Sequence, residues 1–176
     1  MAQKITFKEQ RIRRIREIFQ NQNLTENESF EYFNKYLGFY EDSWTIYPDV
    51  IEVLDFLKQQ KIDVGILSDG AQKQQEFKLE KTGIMGYFNF VLTAESEGMS
   101  KPNPLFFLKG ASMFGVETSE VIYIGDNLKK DAIGATEAGL LGIWLNRKQS
   151  DLFFDRSITD LREFKGMGLF SAPSPE

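Results

Sequence analysis

Val121-Ile122-Tyr123-Ile124-Gly125-Asp126-Asn127-Leu128-Lys129-Lys130-Asp131 is the stretch on which the fold turns. Its first four residues form the short apolar run of a buried strand. Gly125-Asp126 closes that run, and the polar residues after it lead into Gly134-Ala135 and Ala138-Gly139, a helix with a glycine stop. A strand feeding a helix places Asp126 at the strand's carboxyl end, where open α/β sheets bind ligands. A carboxylate there can hold a divalent metal, directly or through water. Asp131 can then support the metal's waters or a lysine. In an ordinary turn Asp126 would be only a helix cap and Asp131 a first-turn charge.

The same grammar repeats on both sides. Apolar runs at Val64–Leu67, Phe90–Leu92 and Gly142–Leu145 predict three more strands. Helices are predicted at about 72–82, 104–114 and 129–138, stopped by Gly83, Gly115 and Gly139. Alternating strands and helices imply right-handed crossovers and a parallel sheet covered on both faces. Pro48 and Asp49 open a further helix carrying Val50, Val53, Leu54 and Leu57. Residues 1–46 predict amphipathic helices instead, with Ile12, Ile15 and Phe19, then Phe30, Phe33 and Leu37, at helical spacing. Thr25 and Glu28 form a capping box at the second helix. The dense aromatics of this region, from Phe30 to Tyr47, are expected to form a helix–helix core, with an aromatic lid over a pocket as the lesser alternative. Beyond the sheet, Leu152–Phe154 predicts a short strand, 160–164 a short helix, and residues 169–176 a disordered tail. The expected organisation is a helical subdomain at 1–46, an α/β domain at 47–168, and the tail.

Two more polar sites follow apolar runs. Ser68-Asp69-Gly70 can cradle a phosphoryl group, the Ser68 hydroxyl donating together with the N–H groups of Asp69 and Gly70. The same letters also make an ordinary turn. Lys101 opens Lys101-Pro102-Asn103-Pro104, where two prolines fix the backbone before a helix. It is either a solvated lysine in a rigid loop or a fixed cation that neutralises a phosphoryl group and a carboxylate. Ser68, Lys101 and Asp126 in this order are harder to explain as turns than any one of them alone.

Composition prunes the chemistry. The 176 residues contain no His and no Cys, which excludes Ser-His triads, cysteine nucleophiles and ordinary zinc sites. Carboxylate, lysine and hydroxyl chemistry remains, most naturally with Mg²⁺. A net charge of -5 argues against nucleic acid as a partner. The arginines at 11, 13, 14 and 16 are flanked by Glu9 and Glu17 and read as a solvated helix face. No run reaches the length of a membrane span, no signal segment opens the chain, and the lack of cysteine fits the cytoplasm.

With Ser68, Ser100-Lys101-Pro102-Asn103-Pro104 and Gly125-Asp126 with Asp131, the chain resembles the haloacid dehalogenase-like (HAD) phosphohydrolases, in the branch with a helical cap. The resemblance implies a Rossmannoid parallel sheet with an N-terminal helical cap. It also implies an aspartyl-phosphate mechanism with Mg²⁺ as cofactor and a small phosphorylated metabolite as substrate. By the same resemblance Ser68, Lys101, Asp126 and Asp131 are catalytic. Ser68, Asp69, Gly70 and Lys101 bind substrate, and Asp126 and Asp131 serve the metal. Gly125-Asp126 favours a phosphatase over the metal-free dehalogenases. A receiver-type phosphoacceptor domain uses similar residues but places its acidic residues first and its lysine last.

One part of the pattern is missing. The family's nucleophile strand ends in Asp-x-Asp-x-Thr, and no Asp-x-Asp occurs in the sequence. The nearest imitation, Leu152-Phe153-Phe154-Asp155-Arg156-Ser157, has Ser at the acid/base position. The expectation is therefore a truncated enzyme, inactive alone. The alternatives are a non-catalytic binding or assembly protein, or a split enzyme completed in trans. In the family that strand lies mid-sheet, between the strands of Ser68 and Asp126. Its absence is expected to expose sheet edges prone to self-association.

Overall fold

A computed structural model describes residues 6–169. The disordered tail expected at 169–176 therefore lies, apart from Leu169, outside the described residues. The chain divides into two compact units, Met1–Thr45 and Ile46–Glu176.

The first unit is a helical hairpin of α1 (Phe7–Ile18) and α2 (Glu26–Asp42). Each helix opens on a capping box: Thr6 with Glu9, and Thr25 with Glu28. Among the described residues, Ile12, Ile15 and Phe33 are this unit's buried apolar side chains. The expected aromatic core is met by Phe33 but not by Tyr32, Tyr36, Phe39 and Tyr40, which are exposed, Phe39 at 76%. A two-helix hairpin has a single inner face, and one stripe per helix is too narrow for aromatics at nearly every position. They stack on one another instead, Tyr36 on Tyr40 at 6.2 Å and Tyr40 edge-on to Trp44 at 5.6 Å.

The second unit runs α3 (Pro48–Gln59), β1 (Gly65–Ser68), α4 (Gln72–Lys81), β2 (Phe90–Thr93), α5 (Ala94–Glu97), α6 (Pro104–Ser112), β3 (Ile122–Gly125), a π-helical turn (Leu128–Ile133), α7 (Gly134–Glu137), β4 (Leu141–Leu145) and β5 (Ser157–Ile158). A 3₁₀ segment, Leu161–Gly166, follows. All pairings are parallel, β1 with β2, and β3 with β4 with β5. Gly83, Gly115 and Gly139 take φ of +74°, +70° and +89°, the left-handed conformation that stops a helix and that only glycine adopts without strain.

Two expectations are corrected. The C-terminal strand is Ser157–Ile158 rather than Leu152–Phe154. Leu152 and Phe153 are exposed, whereas Ile158 is 3% exposed and packs with Val53, Leu57, Ile143 and Phe164. The run 152–154 is apolar, but no apolar face receives it. The predicted helix at 129–138 forms as two pieces, the π-helical turn and α7.

The strands form two sheets, of two and three strands, with no ladder between β1 and β3. Helices tie the halves together. On α3, Val53 and Leu57 pack with β4 and β5, while Leu54 packs with Leu79 and Ile84 near β1 and β2. On α6, Phe107 packs with Ala135 and Leu140, and Leu67 of β1 lies against Gly110.

Asp49 anchors the start of this unit. It is 1% exposed and accepts from Arg147 at 2.8 and 3.0 Å and from the Leu161 N–H at 2.7 Å. Burial alone would raise its pKa. The Arg147 and Leu161 hydrogen bonds outweigh burial and hold it below the usual value.

Candidate active site

Ser68 ends β1 and Gly125-Asp126 ends β3, so both lie at carboxyl ends of parallel strands. The β1 loop is built by its own polar groups. The Gly70 N–H donates to Ser68 Oγ at 3.1 Å. The first amide of α4, Gln72 N–H, donates to Glu95 at 2.8 Å. The carboxylate of Asp69 reaches outward, accepting the Lys101 backbone N–H on Oδ1 at 3.0 Å and Lys130 Nζ on Oδ2 at 3.2 Å. Asp69 thus links three loops, in addition to the backbone role predicted for it.

Lys101 sits where the Lys101–Pro104 turn hands over to α6, capped by Asn103 with Pro104 at its first turn. Its ammonium points inward and is 12% exposed. It donates to Asp131 Oδ1 at 2.8 Å and to the Tyr123 hydroxyl at 3.0 Å. The Tyr123 hydroxyl in turn lies 3.3 Å from Asp131 Oδ1. Asp131 Oδ2 accepts the Asn127 N–H at 2.9 Å. Burial alone would lower the Lys101 pKa. The Tyr123 and Asp131 oxygens outweigh it and raise it above the ordinary lysine value. Burial first, and then the Asp131 charge, push Tyr123 up to about 12 against the opposing pull of Lys101. The lysine is therefore a fixed cation and the tyrosine a neutral hydroxyl at physiological pH.

The approach of Asp131 requires Gly125. A Cβ there would sit 2.4 Å from Asp131 Cβ and 2.6 Å from its Oδ2. Asn127 Oδ1 caps the π-helical turn by accepting the Lys130 N–H at 2.9 Å, and that turn brings Asp131 back over the strand end. π-Helical turns of this kind occur often at functional sites.

Asp126 is different. Its side chain is exposed and makes no hydrogen bond or ion pair with another described residue. Its backbone carbonyl accepts Trp144 Nε1 at 3.1 Å. Among the described residues no group of three or more acidic, His or Cys side chains forms a metal cluster. Mg²⁺, however, commonly uses one or two carboxylates and keeps its waters. One outward carboxylate beside a carboxylate-anchored lysine is a donor set compatible with that ion.

Of the predicted residues, the structure joins Lys101 to Asp131 and Asp69 to the Lys101 backbone, and holds Ser68 against Gly70. It places no side-chain bond between Asp126 and the others. Asp131 spends its oxygens on Lys101, Tyr123 and Asn127, which matches support of the lysine more closely than support of a metal. Sequence reasoning missed Tyr123, Lys130 and Trp144. Tyr123 did carry a signal, as the lone hydroxyl in an otherwise aliphatic strand.

Residues 3–139 match the family model of the haloacid dehalogenase-like hydrolases. The chain is 34% identical over 119 residues to a glyceraldehyde 3-phosphate phosphatase of Methanopyrus kandleri, covering 68% of this chain and 51% of that one. It is 30% identical over 124 residues to a phosphoserine phosphatase of Thermus thermophilus, covering 68% and 50%. The chain thus spans about half the length of these curated relatives. Among solved structures, a HAD phosphatase from Thermococcus onnurineus aligns with a TM-score of 0.69 at 30% identity, over 86% of this chain and 67% of that one. Strand-end residues, parallel α/β fold and family match agree: the chain belongs to the haloacid dehalogenase-like hydrolases.

Proposed function

We propose that these residues form the phosphate- and metal-holding part of a Mg²⁺-dependent phosphatase acting on small phosphorylated metabolites through an aspartyl-phosphate. The observation that carries this reading is the buried Lys101–Asp131–Tyr123 cluster beside the outward carboxylate of Asp126. A lysine needed only for solubility would not be sequestered and pinned by two oxygens. Relatives named as phosphatases of glyceraldehyde 3-phosphate and phosphoserine support a phosphomonoester substrate of metabolite size.

In this reading Lys101 neutralises the phosphoryl oxygens, and Asp131 and Tyr123 keep it charged and aimed. Ser68 Oγ donates to the same phosphoryl group, its orientation set by the Gly70 N–H. Asp126, with waters, would hold Mg²⁺, which when bound supplies further charge neutralisation. The Asp-x-Asp that would carry the nucleophile and the acid/base in this reading does not occur among these 176 residues. By itself the chain therefore binds phosphate without turning it over. That same lack favours, as a second reading, a non-catalytic protein that retains the fold for binding. No helix of the described residues is long and apolar enough to cross a membrane, and a cytoplasmic setting completes the proposal.

Titration of inorganic phosphate into the chain with Mg²⁺ present tests this. Saturable binding that Lys101→Met weakens by roughly tenfold or more, as expected for loss of a charge-assisted contact, supports it. Binding equal in the two proteins would remove Lys101 from the site.

A further inference from the structure

We infer that the side-chain amide of Gln75 is a further phosphate-binding group, donating to a phosphoryl oxygen beside Ser68. This role presupposes the phosphate site proposed for Ser68 and Lys101, which it completes. Gln75 is the fourth residue of α4, and helical side chains lean toward the helix amino end. Its amide is thereby carried back over Gly70, so closely that a Cβ on Gly70 would sit 2.5 Å from Gln75 Nε2. Gly70 in turn donates its N–H to Ser68 Oγ at 3.1 Å. The amide and the Ser68 hydroxyl therefore flank one glycine.

A bound phosphoryl group presents three acceptor oxygens, and the loop after β1 has few donors left for them. The Gly70 N–H, predicted to face the ligand, is given to Ser68 Oγ. Gln72, the first residue of α4, gives its N–H to Glu95 Oε2 at 2.8 Å, and that carboxylate also offsets the positive end of the helix. Lys101 gives its backbone N–H to Asp69. The Ser68 hydroxyl and the Asp69 N–H remain, and the Gln75 amide adds two N–H donors at the same loop.

Gln75 is not spent elsewhere. It is partly buried, and its side chain makes no hydrogen bond with another described residue. Gln72, one turn earlier, shows what a structural glutamine does in the same helix. Its amide donates to Glu76 at 2.7 Å and to the Val91 carbonyl at 3.1 Å, and accepts from Thr93 at 2.8 Å. A partly buried amide without a protein partner forfeits hydrogen bonds unless ligand or water takes them. The residue beneath it points the same way, because only glycine at position 70 leaves the amide its place over the loop. A neutral donor also suits an anionic ligand here, since Asp69 and Glu95 already bring two negative charges to the loop.

Titration of inorganic phosphate into the chain with Mg²⁺ present, with thermal unfolding of each variant, tests the role. Gln75→Met keeps the volume without the donors and should weaken binding about fivefold or more, as loss of a hydrogen bond to a charged group predicts. Gln75→Glu keeps the shape over Gly70 but sets a charge of the ligand's own sign there, and should weaken binding more than about tenfold. Gly70→Ala should match Gln75→Met by displacing the amide, at little cost in stability because the end of a flexible side chain moves. The double variant Gly70→Ala/Gln75→Met should then bind no more weakly than either single variant. Thermal midpoints should stay within about 4 °C of wild type. Wild-type affinity in Gln75→Glu, or effects of Gly70→Ala and Gln75→Met that multiply, would overturn this role and leave Ser68 and Lys101 in theirs. Weakening that comes with a larger fall in the midpoint would also overturn it, by making Gln75 a packing residue. A wild-type chain that shows no saturable phosphate binding would overturn the phosphate site itself, and this role with it.

Discussion

Removing Asp131 and Lys101 together should destabilise the chain by less than the sum of the two separate effects, and by less than removing Asp131 alone. The Asp131 side chain is 5% exposed and that of Lys101 12%. Asp131→Ala leaves the buried ammonium with only the Tyr123 hydroxyl and frees the Asn127 N–H. Breaking a buried pair in this way costs about 3–5 kcal/mol. Lys101→Met leaves a carboxylate that still accepts from Tyr123 and Asn127, so its cost is smaller, about 2–3 kcal/mol. The double variant Lys101→Met/Asp131→Ala removes both charges and should cost about 1–3 kcal/mol, because an apolar replacement leaves no ion unpaired. The coupling is then about 2 kcal/mol or more. Urea unfolding of the four proteins, followed by circular dichroism, measures it. Single effects that add to within about 0.5 kcal/mol of the double variant would refute the pairing on which the site is built.

Gly142→Ala should destabilise the chain by about 3 kcal/mol or more through overpacking, because its Cβ would sit 2.1 Å from the Ala132 carbonyl oxygen, a backbone atom with little room to move; a thermal midpoint unchanged from wild type would contradict this. The Asp49–Arg147 pair predicts an acid-sensitive contribution. The folded pKa of Asp49 lies below its unfolded value of 3.8, so its stabilisation is complete above that value and is lost as pH falls through the folded pKa. The stability gap between wild type and Asp49→Asn, about 3 kcal/mol at neutral pH, should therefore shrink in urea titrations below about pH 4, and a gap constant down to pH 2 would count against the pair.

The sequence made the strands and their glycine-stopped helices legible because period and punctuation are local. Thr25 with Glu28 and Pro48 at a helix start were readable for the same reason. Partners were not. Asp49 read as a first-turn charge, and nothing near it in sequence names Arg147, 98 residues away. Asp131 read as support for either metal or lysine, and only its distance to Lys101 separates the two. The run 152–154 looked more strand-like than Ser157–Ile158, because burial depends on which face is waiting and not on apolar content alone. The aromatics of α2 misled for a related reason: density is visible in sequence, but the width of the receiving face is not.

The most direct test of the central claim, that these residues hold phosphate but lack the group that attacks it, is hydrolysis of a generic aryl phosphate by the purified chain with Mg²⁺. The account predicts no turnover above the rate in buffer, together with retained phosphate binding. Turnover that disappears on Asp155→Ala would contradict it, because it would place a working nucleophile in the segment that only imitates the missing motif.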